Sequence, residues 1–139
     1  MNNPISSWHK VVELQDEKLL KSILHKEAIF YSPILFKPQK GRALVMAYLL
    51  SASKMFDGTE FHYVKELISD KEAVLEFNAE IDGIMVDGVD IITWDEEGRI
   101  TEFKVMLRPL KAIEKVGEKM KAQLESMNIW DKIKLKLKS

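Results

Sequence analysis

The stretch GVDIITWDEEGRITEFKVMLRPL, residues 88–110, decides how the rest of the chain reads. Apolar and polar residues alternate on both sides of Glu96-Glu97-Gly98, the signature of two strands joined by a tight turn. One face of this hairpin collects Ile92, Trp94, Phe103, Val105 and Leu107. Asp90 falls in step with Ile92 and Trp94, so the same alternation places a carboxylate on an apolar face. A carboxylate there costs several kcal/mol unless it is paired or protonated, which makes Asp90 the candidate acid/base or ligand anchor of the chain.

Working outward, the period-two pattern begins near Thr59. EFHYVKELI (60–68) is one strand and EAVLEFNAEI (72–81) another, with Leu75, Phe77, Ala79 and Ile81 on one face and Glu76, Asn78, Glu80 and Asp82 on the other. That is a sheet with one wet and one covered face. Strands are expected at about 86–95 and 99–108, with turns at Asp82-Gly83 and Asp87-Gly88. Upstream, Ser6 and Ser7 are candidate N-caps for an amphipathic helix carrying Trp8, Val11, Val12 and Leu14. Asp16 caps a short second helix that His25 closes as a C-terminal dipole partner. EAIFYSP reads as a strand ended by Pro33, ILFKPQKGR as a loop, and ALVMAYLLSASKMF as a helix stopped by Asp57-Gly58. Pro109 opens a last helix with Leu110, Ile113, Val116, Met120 and Leu124 on one side.

Helices and strands in runs, without strict alternation, indicate an α+β domain. A strongly twisted antiparallel sheet wrapped around the N-terminal helices leaves a cone with an apolar mouth, a setting for a small-molecule site. The 139 residues suit a single domain, 1–139, with about 126–139 as a C-terminal extension whose IWDKIKLKLKS alternates Ile/Leu with Lys.

Net charge is −1, so no whole-molecule field favours nucleic acid. Residues 109–139 hold eight Lys against four acidic groups; such a basic segment reads as a solvated helix face. The chain has no cysteine, which excludes disulfides and thiolate metal sites. Its three histidines are scattered without metal-ligand spacing, so neither a metal nor a cofactor is expected. MNNPISSWHK has no apolar core of signal-peptide length, and the longest apolar run, Ala43–Leu50, is too short for a bilayer. A cytoplasmic protein without membrane or nucleic-acid partners is expected.

LHKEAIFYSP, KGRALVMAYL, VLEFNAEIDG and the final hairpin together resemble the SnoaL-like branch of the nuclear transport factor 2-like superfamily, over roughly residues 6–125. The resemblance implies a cone-shaped α+β fold (a cystatin-like roll) and frequent dimerisation. The superfamily includes ketosteroid isomerases, polyketide cyclases, epoxide hydrolases and dehydratases, so fold alone settles no function. Ketosteroid isomerases carry an oxyanion-holding Asp eight positions before the turn glycine, and Asp90 stands eight before Gly98. Where they place their base Asp, before a Pro at the end of the first strand, this chain has Ser32; where they place a helix Tyr, it has Trp8. A serine hydroxyl cannot take a proton from carbon without a base beside it. Steroid isomerisation by those usual residues is not expected.

The resemblance therefore supports binding of a small apolar or aromatic ligand, with weak acid/base chemistry at Asp90. An isomerase, cyclase or dehydratase using Asp90 with His62 or a water is the alternative; a non-catalytic dimerisation module is a further one. His62 is the candidate base because imidazole titrates near neutral pH, although strand parity does not decide its face. The wall expected around the ligand comprises Trp8, Val12, Phe30, Ser32, Tyr48, Phe77, Trp94, Phe103 and Val105. A homodimer is expected through the outer sheet face, with Val64, Met106 and Ile91 or Thr93 at its centre.

Overall fold

A computed structural model of the chain describes residues 3–126. The expected extension at about 126–139 lies, but for Ser126, outside the described residues. Ten elements follow in order: α1 (Ile5–Leu14), α2 (Glu17–Ile23), β1 (Leu24–Tyr31), β2 (Gln39–Lys40), α3 (Arg42–Phe56), β3 (His62–Ile68), β4 (Glu72–Ile81), β5 (Ile84–Trp94), β6 (Ile100–Arg108) and α4 (Leu110–Ser126). The strands make one six-stranded sheet in the order β2-β1-β6-β5-β4-β3. β1 runs parallel to β6, and every other pairing is antiparallel.

Several local expectations are corrected. α1 starts before Ser6 and Ser7; the side-chain oxygen that accepts the Ile5 N–H at 2.8 Å belongs to Asn3. Asp16 does cap α2, accepting the Leu19 N–H at 3.0 Å. β1 begins at Leu24, so His25 lies in a strand and its Nδ1 accepts the Glu27 N–H at 2.9 Å. The supposed loop contains β2, whose Gln39 and Lys40 pair with Phe30 and Ile29.

Asp87 and Gly88 are inside β5 and make no turn. The β4–β5 hairpin turns instead on Asp82 and Gly83 alone, with φ of 50° and 80°, the left-handed pair a two-residue turn needs. The 95–99 turn is tied by Asp95, whose Oδ1 accepts the N–H groups of Glu97 and Arg99, each at 3.0 Å. The Arg99 N–H holds that carboxyl below its ordinary range.

The strictly alternating burial of β4 and β5 puts Leu75, Phe77, Ile92 and Trp94 on the concave face. There Leu75, Ile92 and Trp94 cluster with Trp8 and Val11 of α1 and Val45, Tyr48 and Leu49 of α3. A second apolar cluster, Phe77, Ala79, Ile81 and Val86 with Ala112 and Val116, seats α4 on the same sheet. A cavity of about 580 Å³ remains between the helices and the concave face. Among the described residues no helix is long and apolar enough to cross a membrane.

Candidate functional site

Asp90 lies midway along β5, opposite Leu75 of β4 and Val105 of β6. Its side chain enters the cavity and is 5% exposed. Its Oδ2 accepts the Tyr63 hydroxyl at 2.6 Å, and the Tyr63 oxygen accepts the Trp8 indole N–H at 2.9 Å. Among the described residues Oδ1 has no protein hydrogen-bond partner. A relay Trp8→Tyr63→Asp90 thus crosses from α1 through β3 to β5 and ends on one free carboxyl oxygen.

Burial pushes the Asp90 carboxyl up to about 7, against the opposing pull of the Tyr63 hydrogen bond. Burial, then the nearby Asp90 charge, pushes the Tyr63 phenol well above its ordinary value, so it stays a donor. Near neutral pH Asp90 therefore populates both states. Protonated, it can donate from Oδ1 to a ligand oxygen; ionised, it can accept a proton.

His62, expected as the partner of Asp90, does not take that role. It is exposed at the cavity rim, and its Nδ1–H donates to the Glu60 carbonyl at 2.8 Å. Phe61 and Tyr63 turn inward, so strand alternation leaves His62 on the outside. Tyr63, overlooked in the sequence, is the residue that reaches Asp90. Its signal was the inward position of Phe77: Tyr63 is the direct register partner of Phe77, and partners across a ladder share a face.

Of the expected wall, Trp8, Val12, Phe30, Phe77, Phe103 and Val105 line the cavity. Ser32, Tyr48 and Trp94 do not. Ser32 Oγ is occupied by the N–H groups of Ile34 and Leu35 at 2.9 and 3.3 Å, a loop turn beyond the cavity. Tyr48 stacks behind Phe30 with ring centres 5.4 Å apart. Trp94 is buried, and its indole N–H donates to the Asp70 carbonyl at 3.1 Å. Arg108 lies outside the cavity, bonded to Asp87 at 3.1 Å.

The remaining lining is informative in its charge. Among the described residues no Lys or Arg lines the cavity, while Glu13, Asp57 and Glu60 do. His9 also lines it, and its Nε2 is hydrogen-bonded to the Glu66 carboxyl.

A curved sheet closed by helices over an apolar cavity with one acid at depth defines the nuclear transport factor 2-like, cystatin-like class of α+β folds. Residues 5–103 match the SnoaL-like domain, and the chain belongs to that family. Among solved structures it is similar to a steroid delta-isomerase from Pseudomonas aeruginosa, with 33% identity over 90% of this chain and 91% of that one and a TM-score of 0.84. It is also similar to an uncharacterized protein with a cystatin-like fold from Silicibacter pomeroyi DSS-3: 30% identity, 96% and 94% coverage, TM-score 0.86. A putative SnoaL-like polyketide cyclase from Jannaschia shares the fold at 9% identity over 81% of this chain and 90% of that one, with a TM-score of 0.63. No curated protein matches the chain.

Proposed function

We infer that the cavity binds a small, flat, uncharged apolar molecule bearing one carbonyl or phenolic oxygen, and that Asp90, oriented by Tyr63, holds that oxygen and exchanges a proton with it. The observation that carries this reading is the free Asp90 Oδ1 inside an apolar cavity, next to a carboxyl oxygen already engaged by a phenol. About 580 Å³ lies within the roughly 300–1,000 Å³ of small-molecule sites. That volume weighs against a mere dimerisation module whose interior is filled by its own side chains. The aromatic wall of Trp8, Phe30, Phe77 and Phe103 suits a planar skeleton. Among the described residues the lining is acidic and holds no Lys or Arg, which disfavours carboxylates and phosphates.

The likeness to a steroid delta-isomerase at 33% identity supports a ketone or enol as the group recognised. The base Asp that ketosteroid isomerases carry before a Pro at the end of the first strand is replaced here by Ser32, whose hydroxyl is taken up in a loop turn. The reading that fits these residues is a SnoaL-like ligand-binding protein with proton-transfer capacity at Asp90.

Binding of 2-naphthol, a flat phenol whose fluorescence reports its environment, tests the reading. Saturable binding to the wild type is expected. Asp90→Ala should weaken it about tenfold or more, as loss of a hydrogen bond to an ionisable group costs about 1.5–3 kcal/mol, and Tyr63→Phe should weaken it less, because its hydroxyl acts through Asp90. No saturable binding, or affinity untouched by Asp90→Ala, would sink the idea.

A further inference from the structure

His9 and Glu66 form a second polar pair on the same cavity, outside the Trp8–Tyr63–Asp90 relay. His9 follows Trp8 on α1 and stands one turn before Val12, another lining residue. Its ring meets the Tyr63 ring edge-on, with centres 5.1 Å apart. Tyr63 therefore lies between His9 and Asp90, touching both. Glu66 is three residues beyond Tyr63 in β3, a spacing that would put the two on opposite faces of a regular strand. The irregularity between Tyr63 and Lys65 restores them to one face: Tyr63 pairs with Phe77 and Glu66 with Leu75, both inward.

A carboxylate that accepts the Nε2–H of an imidazole fixes its tautomer and leaves the lone pair on Nδ1. Among the described residues Nδ1 of His9 has no partner. We propose that His9, oriented by Glu66, is the base of this cavity and removes a proton from a carbon next to the ligand carbonyl held by Asp90. This rests on the ligand reading above.

The step balances without any further reactant. His9 Nδ1 takes the proton, and the C–H electron pair becomes the new C=C bond. The carbonyl π pair moves onto oxygen, which Asp90 stabilises through its Oδ1–H. Return of the proton from the imidazolium, to the same carbon or to one further along a conjugated chain, restores the ketone. His9 and Glu66 are 38% and 36% exposed, so the imidazolium can trade its proton with solvent before returning it. The chemical class of substrate is a neutral ketone with an acidic C–H beside the carbonyl, since an acidic lining opposes an anion. Glu66 is a positioning residue: it acts only through His9.

The test uses 2-tetralone, a flat neutral ketone, in D₂O, with loss of its C1 proton signal followed by NMR. Wild type should accelerate exchange. His9→Gln should lower that acceleration at least tenfold while 2-naphthol still binds saturably, because the anchor at Asp90 is intact. His9→Gly should regain activity on addition of imidazole, a rescue that a structural role would not show. Glu66→Gln should lower kcat with little change in KM. Wild-type exchange no faster than background with naphthol binding retained would overturn the dyad and leave the binding reading standing, as would full activity in His9→Gln or absence of imidazole rescue. Loss of both naphthol binding and exchange in the wild type would overturn the reading on which the dyad depends.

Discussion

Asp90 holds its proton up to about pH 7 because the folded chain buries it between its strand partners Leu75 and Val105. In the unfolded chain the same carboxyl releases its proton near its ordinary value of 3.8. Between those two points the native state binds more protons than the unfolded state, so stability falls as pH rises through this window. Below it both states are protonated and the penalty vanishes; above it the penalty is complete. The full span corresponds to about 4 kcal/mol. Asp90→Asn keeps the acceptor for Tyr63 and cannot ionise. Its stability advantage over wild type should therefore be small at pH 4.5 and grow by a few kcal/mol at pH 8. Urea unfolding of both proteins at the two pH values measures this, and a difference that ignores pH would place the Asp90 carboxylate in water.

At the scale of elements, β5 is shaped by one residue without a side chain. A Cβ on Gly88 would stand 2.4 Å from the Phe77 ring and 2.7 Å from Leu107. The Phe77 ring cannot retreat, because Phe56, Phe61 and Tyr63 pack on it. Gly88→Ala should cost about 1–3 kcal/mol by overpacking. The cost should shrink in a Phe77→Leu background, since the two sites share the clash. Denaturant midpoints of the four proteins give the comparison, and a neutral Gly88→Ala would show that the sheet yields there. The β3 irregularity has the opposite effect: it adds a residue where Gly88 removes a side chain. With Val64 at the extra position, Tyr63 and Glu66 both face inward. Strict alternation cannot anticipate a bulge, which is why the sequence alone does not bring Glu66 to the face of Tyr63. The length of β4, by contrast, was legible to the residue, because its burial alternates without interruption.

At the scale of the whole molecule, the convex face of the sheet is where we expect a second copy. Met85, Met106 and Val64 are 60%, 49% and 46% exposed there, around half-buried Val89 and Ile91. Charges of both signs frame them: Lys65 opposite Glu76, and Arg108 bonded to Asp87. An apolar centre within a mixed-charge rim can match its own copy across a two-fold axis. Met106→Glu should weaken such a dimer by about 2 kcal/mol or more, roughly 30-fold, because the carboxylate loses water without gaining a partner. Naphthol binding should persist, since Phe103 faces the other way. Sedimentation at micromolar concentration distinguishes the cases; a monomeric wild type, or an unaffected mutant dimer, would move the contact elsewhere.

Alternation of apolar and polar residues over 72–81 and 88–108, with glycines at the turns, was enough to determine a one-sided sheet and to set Asp90 on its covered face, because side-chain direction in a regular strand depends only on sequence position. The Ser32 and Trp8 substitutions were equally visible, being matters of residue identity. What surrounds Asp90 was decided by the tertiary structure. Tyr63, Trp8, His9 and Glu66 come from two elements, α1 and β3, up to 82 positions away from it in the chain, and their meeting depends on the curvature of the sheet and on one bulge in β3. Such contacts are set by packing across the cavity, a property of how elements are placed in space, and local sequence pattern carries no record of it.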